Sequence, residues 1–156
     1  MKTTDRQEDQ WLRGMLGHWR MEGRCDTGDG LSSSFSGQET VRALGTHVVC
    51  EGEGPDPEGQ LQQSLLLLGF DPSRKCFSGS FACSAMTYLW SYQGHLAGNT
   101  LTLDTKGPSM TGDGLTDYQD IIILEGADAR RMLSRMKMPD GSWKQIVEMQ
   151  YQRADA

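Results

Sequence analysis

Residues 17–25, Gly-His-Trp-Arg-Met-Glu-Gly-Arg-Cys, alternate without a break. Trp19, Met21, Gly23 and Cys25 fall on one side, and His18, Arg20, Glu22 and Arg24 on the other. Successive side chains leave a pleated backbone on opposite sides, so bulk on one face and charge on the other is the mark of a half-buried antiparallel strand. Such a strand cannot stand alone. Its apolar face needs a facing layer, and its two edges need partners.

The rest of the chain supplies them. Strands are predicted over 31–43, 46–53, 60–70, 75–84, 87–93, 99–105, 117–125, 129–138 and 142–153. Between them lie turn-forming stretches such as 26–30, Pro55-Asp56-Pro57-Glu58-Gly59, Asp71-Pro72-Ser73-Arg74, 126–128 and Pro139-Asp140-Gly141. Gly94 to Gly98 is read as a further turn, and 106–116 as the longest connection. One helix is predicted, over 5–15, capped by Thr4 or Asp5. Trp11, Leu12 and Met15 at helical spacing turn it into a lid over one end. Ten short strands joined by hairpins predict an all-β fold, a single closed antiparallel up-and-down barrel over 1–156, because closure removes the edges.

Composition narrows the partners. A net charge of −6 and a pI near 5.0 argue against nucleic acid, which calls for a basic face. The longest apolar run is Leu65-Leu66-Leu67-Leu68, far short of the roughly 20 residues a membrane helix needs. The polar start, Met1-Lys2-Thr3-Thr4-Asp5, does not read as a signal peptide, so no membrane partner and a cytoplasmic location are expected. Cys25, Cys50, Cys76 and Cys83 lack C-x-x-C spacing and are expected to be small buried hydrophobes. His18, His47 and His95 are too dispersed for a local metal motif, so neither a metal nor a cofactor is expected.

Parity sorts the last three strands. Pairing about the turns sets Tyr118 opposite Met136, Asp120 opposite Ser134, Ile122 opposite Met132, Met138 opposite Trp143, Met136 opposite Gln145 and Met132 opposite Met149. Directly opposed residues share a face. The interior is thus expected to hold Tyr118, Asp120, Ile122, Met132, Ser134, Met136, Met138, Trp143, Gln145, Val147, Met149 and Tyr151. Arg131, Arg135, Lys137, Lys144, Glu148, Gln150 and Gln152 are expected outside. In the fifth and sixth strands Phe77 and Phe81 compete with Tyr88, Trp90 and Tyr92 for the interior, and parity alone does not decide.

At the end carrying the helix, an even strand number brings Arg153 beside Trp19, and pairing across the first turn sets Glu39 opposite Gly17. A guanidinium stacked on the indole, with Glu39 as counter-ion, is expected to close that end. The opposite end gathers the longest loop with Met86, Met110, Met138 and Trp143, a plausible apolar entrance.

Several ordered segments carry a resemblance: Leu16-Gly17-His18-Trp19, Leu68-Gly69-Phe70-Asp71-Pro72, Leu101 to Met110, Pro139-Asp140-Gly141-Ser142-Trp143 and the closing Tyr151-Gln152-Arg153. Together they resemble the bacterial family of unknown function called DUF1579 over roughly residues 8 to 153. That likeness implies a fold and no activity. The Gly-x-Trp start and terminal arginine are also similar to the lipocalin and calycin pattern, in which that pair sits at the closed end. Ten-stranded nitrobindins, related in pattern, hold haem through a histidine near the C-terminus. Here no histidine follows His95, so histidine-held haem is not expected.

The expected function is a barrel that binds a small apolar or amphipathic ligand through Tyr118, Asp120, Ser134, Met136, Met138, Trp143 and Gln145, apolar bulk with a few convergent polar groups. Two other classes fit the same residues. One is a non-catalytic interaction barrel acting as a homodimer. The other is a small enzyme using Asp120 or Glu39 as base or Cys83 as nucleophile, for which no triad, phosphate loop or metal motif is present.

Overall fold

The structure, a computed structural model, describes residues 6–26, 32–112 and 114–154. A short helix, α1 (Gln7–Arg13), leads into β1 (Gly17–Asp26), β2 (Ser32–Leu44), β3 (His47–Pro55), β4 (Leu61–Asp71) and β5 (Cys76–Cys83). Then come β6 (Trp90–Ala97), β7 (Thr100–Pro108), β8 (Leu115–Leu124), β9 (Ala129–Lys137) and β10 (Trp143–Arg153). Each strand pairs antiparallel with its neighbours in sequence, and β1 closes on β10, so the sheet is a ten-stranded up-and-down barrel.

The helix is shorter than the predicted 5–15, and the expected caps, Thr4 and Asp5, lie outside the described residues. Its buried face serves as the lid. Trp11 donates from Nε1 to the Asn99 carbonyl at 3.0 Å and meets Phe77 edge-on, while Leu12 and Met15 are fully buried. Trp19 then ties the first strand to the helix exit, its indole N–H donating to the Met15 carbonyl at 2.9 Å.

Four expectations need correction. Glu39 pairs with Trp19, not Gly17, because the β1–β2 connection lies one residue further along the chain than expected, with Asp26 opposite Ser32, and this moves the pairing by two. A two-residue slip preserves the face, so Glu39 still points inward. Second, β6 begins at Trp90, not Thr87, and runs through Gly94, which lies under the Leu103 and Leu101 side chains. The turn falls at Gly98, whose positive φ of 62° suits glycine. Third, β7 extends to Pro108, which pairs with Leu115 at the strand end, so the long connection shrinks to 109–114. Fourth, β10 carries a bulge between Gln145 and Val147. Trp143 therefore pairs with Lys137, and Gln145 with Arg135. The extra residue, Ile146, is buried, and it reverses the parity of everything before it.

The undecided strands resolve simply. Phe81 faces Trp90, Gly79 faces Tyr92 and Phe77 faces Gly94, so odd residues of β5 and even residues of β6 share the interior. No competition exists.

The candidate ligand pocket inside the barrel

The inward side chains form three layers. The closed-end layer is packed solid. Trp19, Val41, Val48, Leu68, Phe77 and Leu101 are buried there beneath the helix. Its polar core comes from β2 and β9: Glu39 and Arg130, both buried, form an ion pair, and the Arg130 guanidinium stacks 3.7 Å from the Tyr151 ring and 4.8 Å from Trp19. Burial pulls the Arg130 guanidinium down to about 10, with Tyr151 acting in the opposite direction, so it stays a cation at neutral pH. Arg153 does lie over the Trp19 ring, at 4.2 Å. It is not the partner of Glu39, however. It donates to the carbonyls of Ala127 at 2.8 Å, Leu16 at 2.6 Å and Gly14 at 3.3 Å, tying the helix exit to the β8–β9 turn. Arg130, assigned to neither face from the sequence, has the parity of Met132 and Ser134, which would have placed it inside.

The opposite end is half plugged. Trp90 lies flat enough over Gly107 that a Cβ there would sit about 2 Å from the ring, and its edge meets Tyr118 at 5.0 Å. Tyr118 donates to the Pro108 carbonyl at 2.5 Å and is buried with Met136 and Ile146, against Met138 and Val147. Of the seven residues expected to line a pocket, Tyr118, Met136 and Met138 thus build this plug. Trp143 and Gln145 are outside it. The bulge turns both to the outer wall, where Trp143, 37% exposed, stacks on the Arg135 guanidinium at 4.9 Å. Lys144, expected outside, takes the inward register opposite Met136 and meets Asp26 at 3.6 Å. On the other side of this end several inward positions of β3 to β5 are small, Gly54, Ser64 and Cys83 among them, while the Phe35 ring of β2 lies over Gly23 of β1.

Asp120 and Ser134, the remaining two, meet in the middle layer as opposed residues. Tyr92, unplaced by parity, joins them. Its hydroxyl donates to Asp120 Oδ2 at 2.5 Å, and Ser134 bonds the same carboxyl. Around this trio Met21, Leu66, Phe81, Met132 and Met149 point inward yet are only partly buried, unlike Trp19, Val48, Leu68 and Leu101 at the centre of the closed-end layer, whose margin (Phe70, Leu96, Leu124) is partly buried as well. Desolvation raises Asp120 above the usual carboxylate range, although hydrogen bonds from Ser134 and Tyr92 oppose it. Burial and the Asp120 charge likewise push the Tyr92 phenol upward.

A raised acid binds its proton more tightly folded than unfolded. Its contribution is complete below the unfolded aspartate value, and stability falls as pH rises from there to the folded value. Asp120→Asn should flatten that part of the stability–pH profile and leave the variant relatively more stable at neutral than at acid pH. Urea unfolding across the acid range checks it, and a profile unchanged by the substitution would refute the assignment.

A concave region of about 1350 Å³ spans β9, β10 and β1 to β3, lined mainly by outward Arg20, Glu22, Gln38, Glu53, Arg131 and Gln152 and also by Met21, Arg130 and Tyr151 of the inward face. Its charges of both signs are spread along an open surface, and the convergent, desolvated polar groups are inside, so we place the candidate site there. His18, His47 and His95 are all exposed on the outer surface, where none can reach an interior ligand. The cysteines are free; Cys50 and Cys76 are buried as expected, whereas Cys25 and Cys83 are only partly buried, and burial pushes the Cys50 thiol up to about 12. Among the described residues no group of His, Cys, Asp or Glu could hold a metal ion, and no helix is long and apolar enough to cross a membrane.

Comparison with known proteins agrees with this architecture. The family described as protein of unknown function (DUF1579) matches residues 4–153. No curated protein matches. Among solved structures, the crystal structure of Rv2717c from M. tuberculosis superposes with a TM-score of 0.68 at 14% identity, covering 96% of this chain and 99% of that one. The S-type phycobiliprotein lyase CPES from Guillardia theta gives 0.63 at 13% identity, covering 95% and 93%. A redesigned β-barrel gives 0.52 at 13% identity, covering 98% and 100%. At these identities the likeness is one of fold.

Proposed function

Because the chain belongs to the DUF1579 family, whose description carries no activity, we propose from its own residues that it binds a small amphipathic ligand inside the barrel. The observation that carries this reading is the middle layer. A carboxyl oriented by Tyr92 and Ser134 faces inward among methionines and Phe81 that keep accessible surface. Filled cores bury such side chains completely, as Trp19, Val48, Leu68 and Leu101 at the centre of the layer beneath the helix are here. Binding pockets pair apolar bulk with a few placed polar groups, which is this composition. The small residues Gly54, Ser64 and Cys83 of β3 to β5 at the open end supply the way in, since Phe35 lies over Gly23 and the plug blocks the other half.

Native mass spectrometry of the protein as purified tests the reading. The expected spectrum contains a fraction heavier by one small molecule, and that adduct disappears in Met132→Trp, which fills the middle layer. Persistence of the adduct in Met132→Trp, or a wild-type protein that binds no member of a small-molecule amphiphile panel, would exclude interior binding. The same spectrum reports whether the barrel is a monomer or a homodimer.

A further inference from the structure

Asp120 has hydroxyl donors on both sides and, among the described residues, no cation paired with it. Tyr92 on β6 donates at 2.5 Å and Ser134 on β9 bonds the carboxyl too, which orients it without neutralising it. Among the described residues no Lys or Arg is ion-paired with Asp120. Arg130, inward on the neighbouring strand, is held by Glu39 and the Tyr151 ring, and Lys144 at the mouth by Asp26. The other titratable groups near Asp120 are Tyr151, on β10, and Cys83, close to Tyr92 on β5. None brings a positive charge.

We propose that the barrel takes lipophilic primary amines in their protonated form, with the ammonium seated on Asp120 between Tyr92 and Ser134. The assignment rests on interior binding and specifies the ligand's polar end. An ammonium offers three N–H donors, and a carboxylate holding two hydrogen bonds keeps lone pairs free to accept them. The bond is charge-assisted and lies in a desolvated site, where such bonds are strongest. The thioethers of Met132 and Met149 and the Phe81 ring flank the site and suit the alkyl or aryl body, sulfur and π surface both being polarizable. An alcohol of the same length keeps the body but loses the charge, and a fatty acid sets a second carboxylate beside the first. Where Asp120 is protonated in the empty barrel, entry of the ammonium releases that proton to solvent, and charge is conserved.

Calorimetric titration of the intact protein with octylamine, 1-octanol and octanoate at pH 7.5 separates the outcomes. Octylamine is expected to bind about tenfold tighter than octanol, the difference between a charged and a neutral hydrogen bond, and octanoate weakest. Asp120→Asn should abolish the preference, so that octylamine binds no tighter than octanol, whereas Tyr92→Phe, which keeps the carboxyl, should retain part of it. Near-UV circular dichroism of both variants establishes that they are folded. Equal affinities for amine and alcohol, or tightest binding of octanoate, overturn the amine assignment while interior binding stands. Failure of all three to bind refutes the assignment and interior binding together.

Discussion

Arg130→Met should lower the unfolding free energy by about 3–5 kcal/mol, the usual cost of stranding one member of a buried ion pair. Arg130 is 2% exposed and Glu39 8%, so water cannot take over the solvation that each ion gives the other. Coulomb attraction alone does not set the size of the loss. The desolvated Glu39 carboxylate left behind does. The control follows from that logic. Adding Glu39→Gln or Glu39→Leu to Arg130→Met should recover much of the loss, because an apolar pair of similar volume is often as stable as a buried ion pair. Arg153→Ala should cost less, since that guanidinium sits at the rim and donates mainly to carbonyls. Urea denaturation of the two single variants and the double variant, read as a cycle, decides the matter. Additive losses would show that Arg130 and Glu39 do not depend on one another.

Trp19→Ala should be comparably severe, about 3–5 kcal/mol for removing a large buried aromatic. Trp19 is 1% exposed, bonds the Met15 carbonyl, and carries a guanidinium at 4.2 Å and another at 4.8 Å. Its loss opens a cavity between helix lid and barrel and takes the aromatic surface from both arginines. Trp19→Phe separates these contributions. It keeps a ring for the cations and loses the N–H donor and part of the volume, so it should fall well short of the alanine loss. Thermal unfolding of the three proteins measures the effect, and a Trp19→Ala protein as stable as the parent would mean that the helix and the first strand are not coupled through this side chain.

The sequence showed much of this molecule because alternation is a local signal. Ten alternating segments and their turn residues were enough for strand number, for hairpin connection and hence for the meeting of Trp19 with Arg153. The pairings of Tyr118, Asp120 and Ile122 with Met136, Ser134 and Met132 follow from a short turn and two unbroken strands. Parity holds only while the residue count holds. One inserted residue at Ile146 moved Trp143 and Gln145 to the outer wall, since a bulge sets two residues against one and the pattern before it changes sides. Nothing in Lys144-Gln145-Ile146-Val147 announces the insertion. Tyr92 escaped for a related reason: residues 84–89 connect β5 to β6, and the length of that connection decides which parity of one strand meets which of the other.

What the chain alone determined, then, is the barrel, its up-and-down order of ten strands and the end that the helix covers, all consequences of period-two burial and turn chemistry repeated along the sequence. Only the tertiary structure decided which carboxylate meets which cation. Glu39 and Arg130 are 91 positions apart (130 − 39), and Glu39 could as well have met Arg153, which has the same parity and the same end. Face and end are set by local pattern. The choice between two arginines on one face depends on depth in the barrel, where a fully desolvated guanidinium requires a buried carboxylate and one at the rim is satisfied by carbonyls and the exposed Asp128.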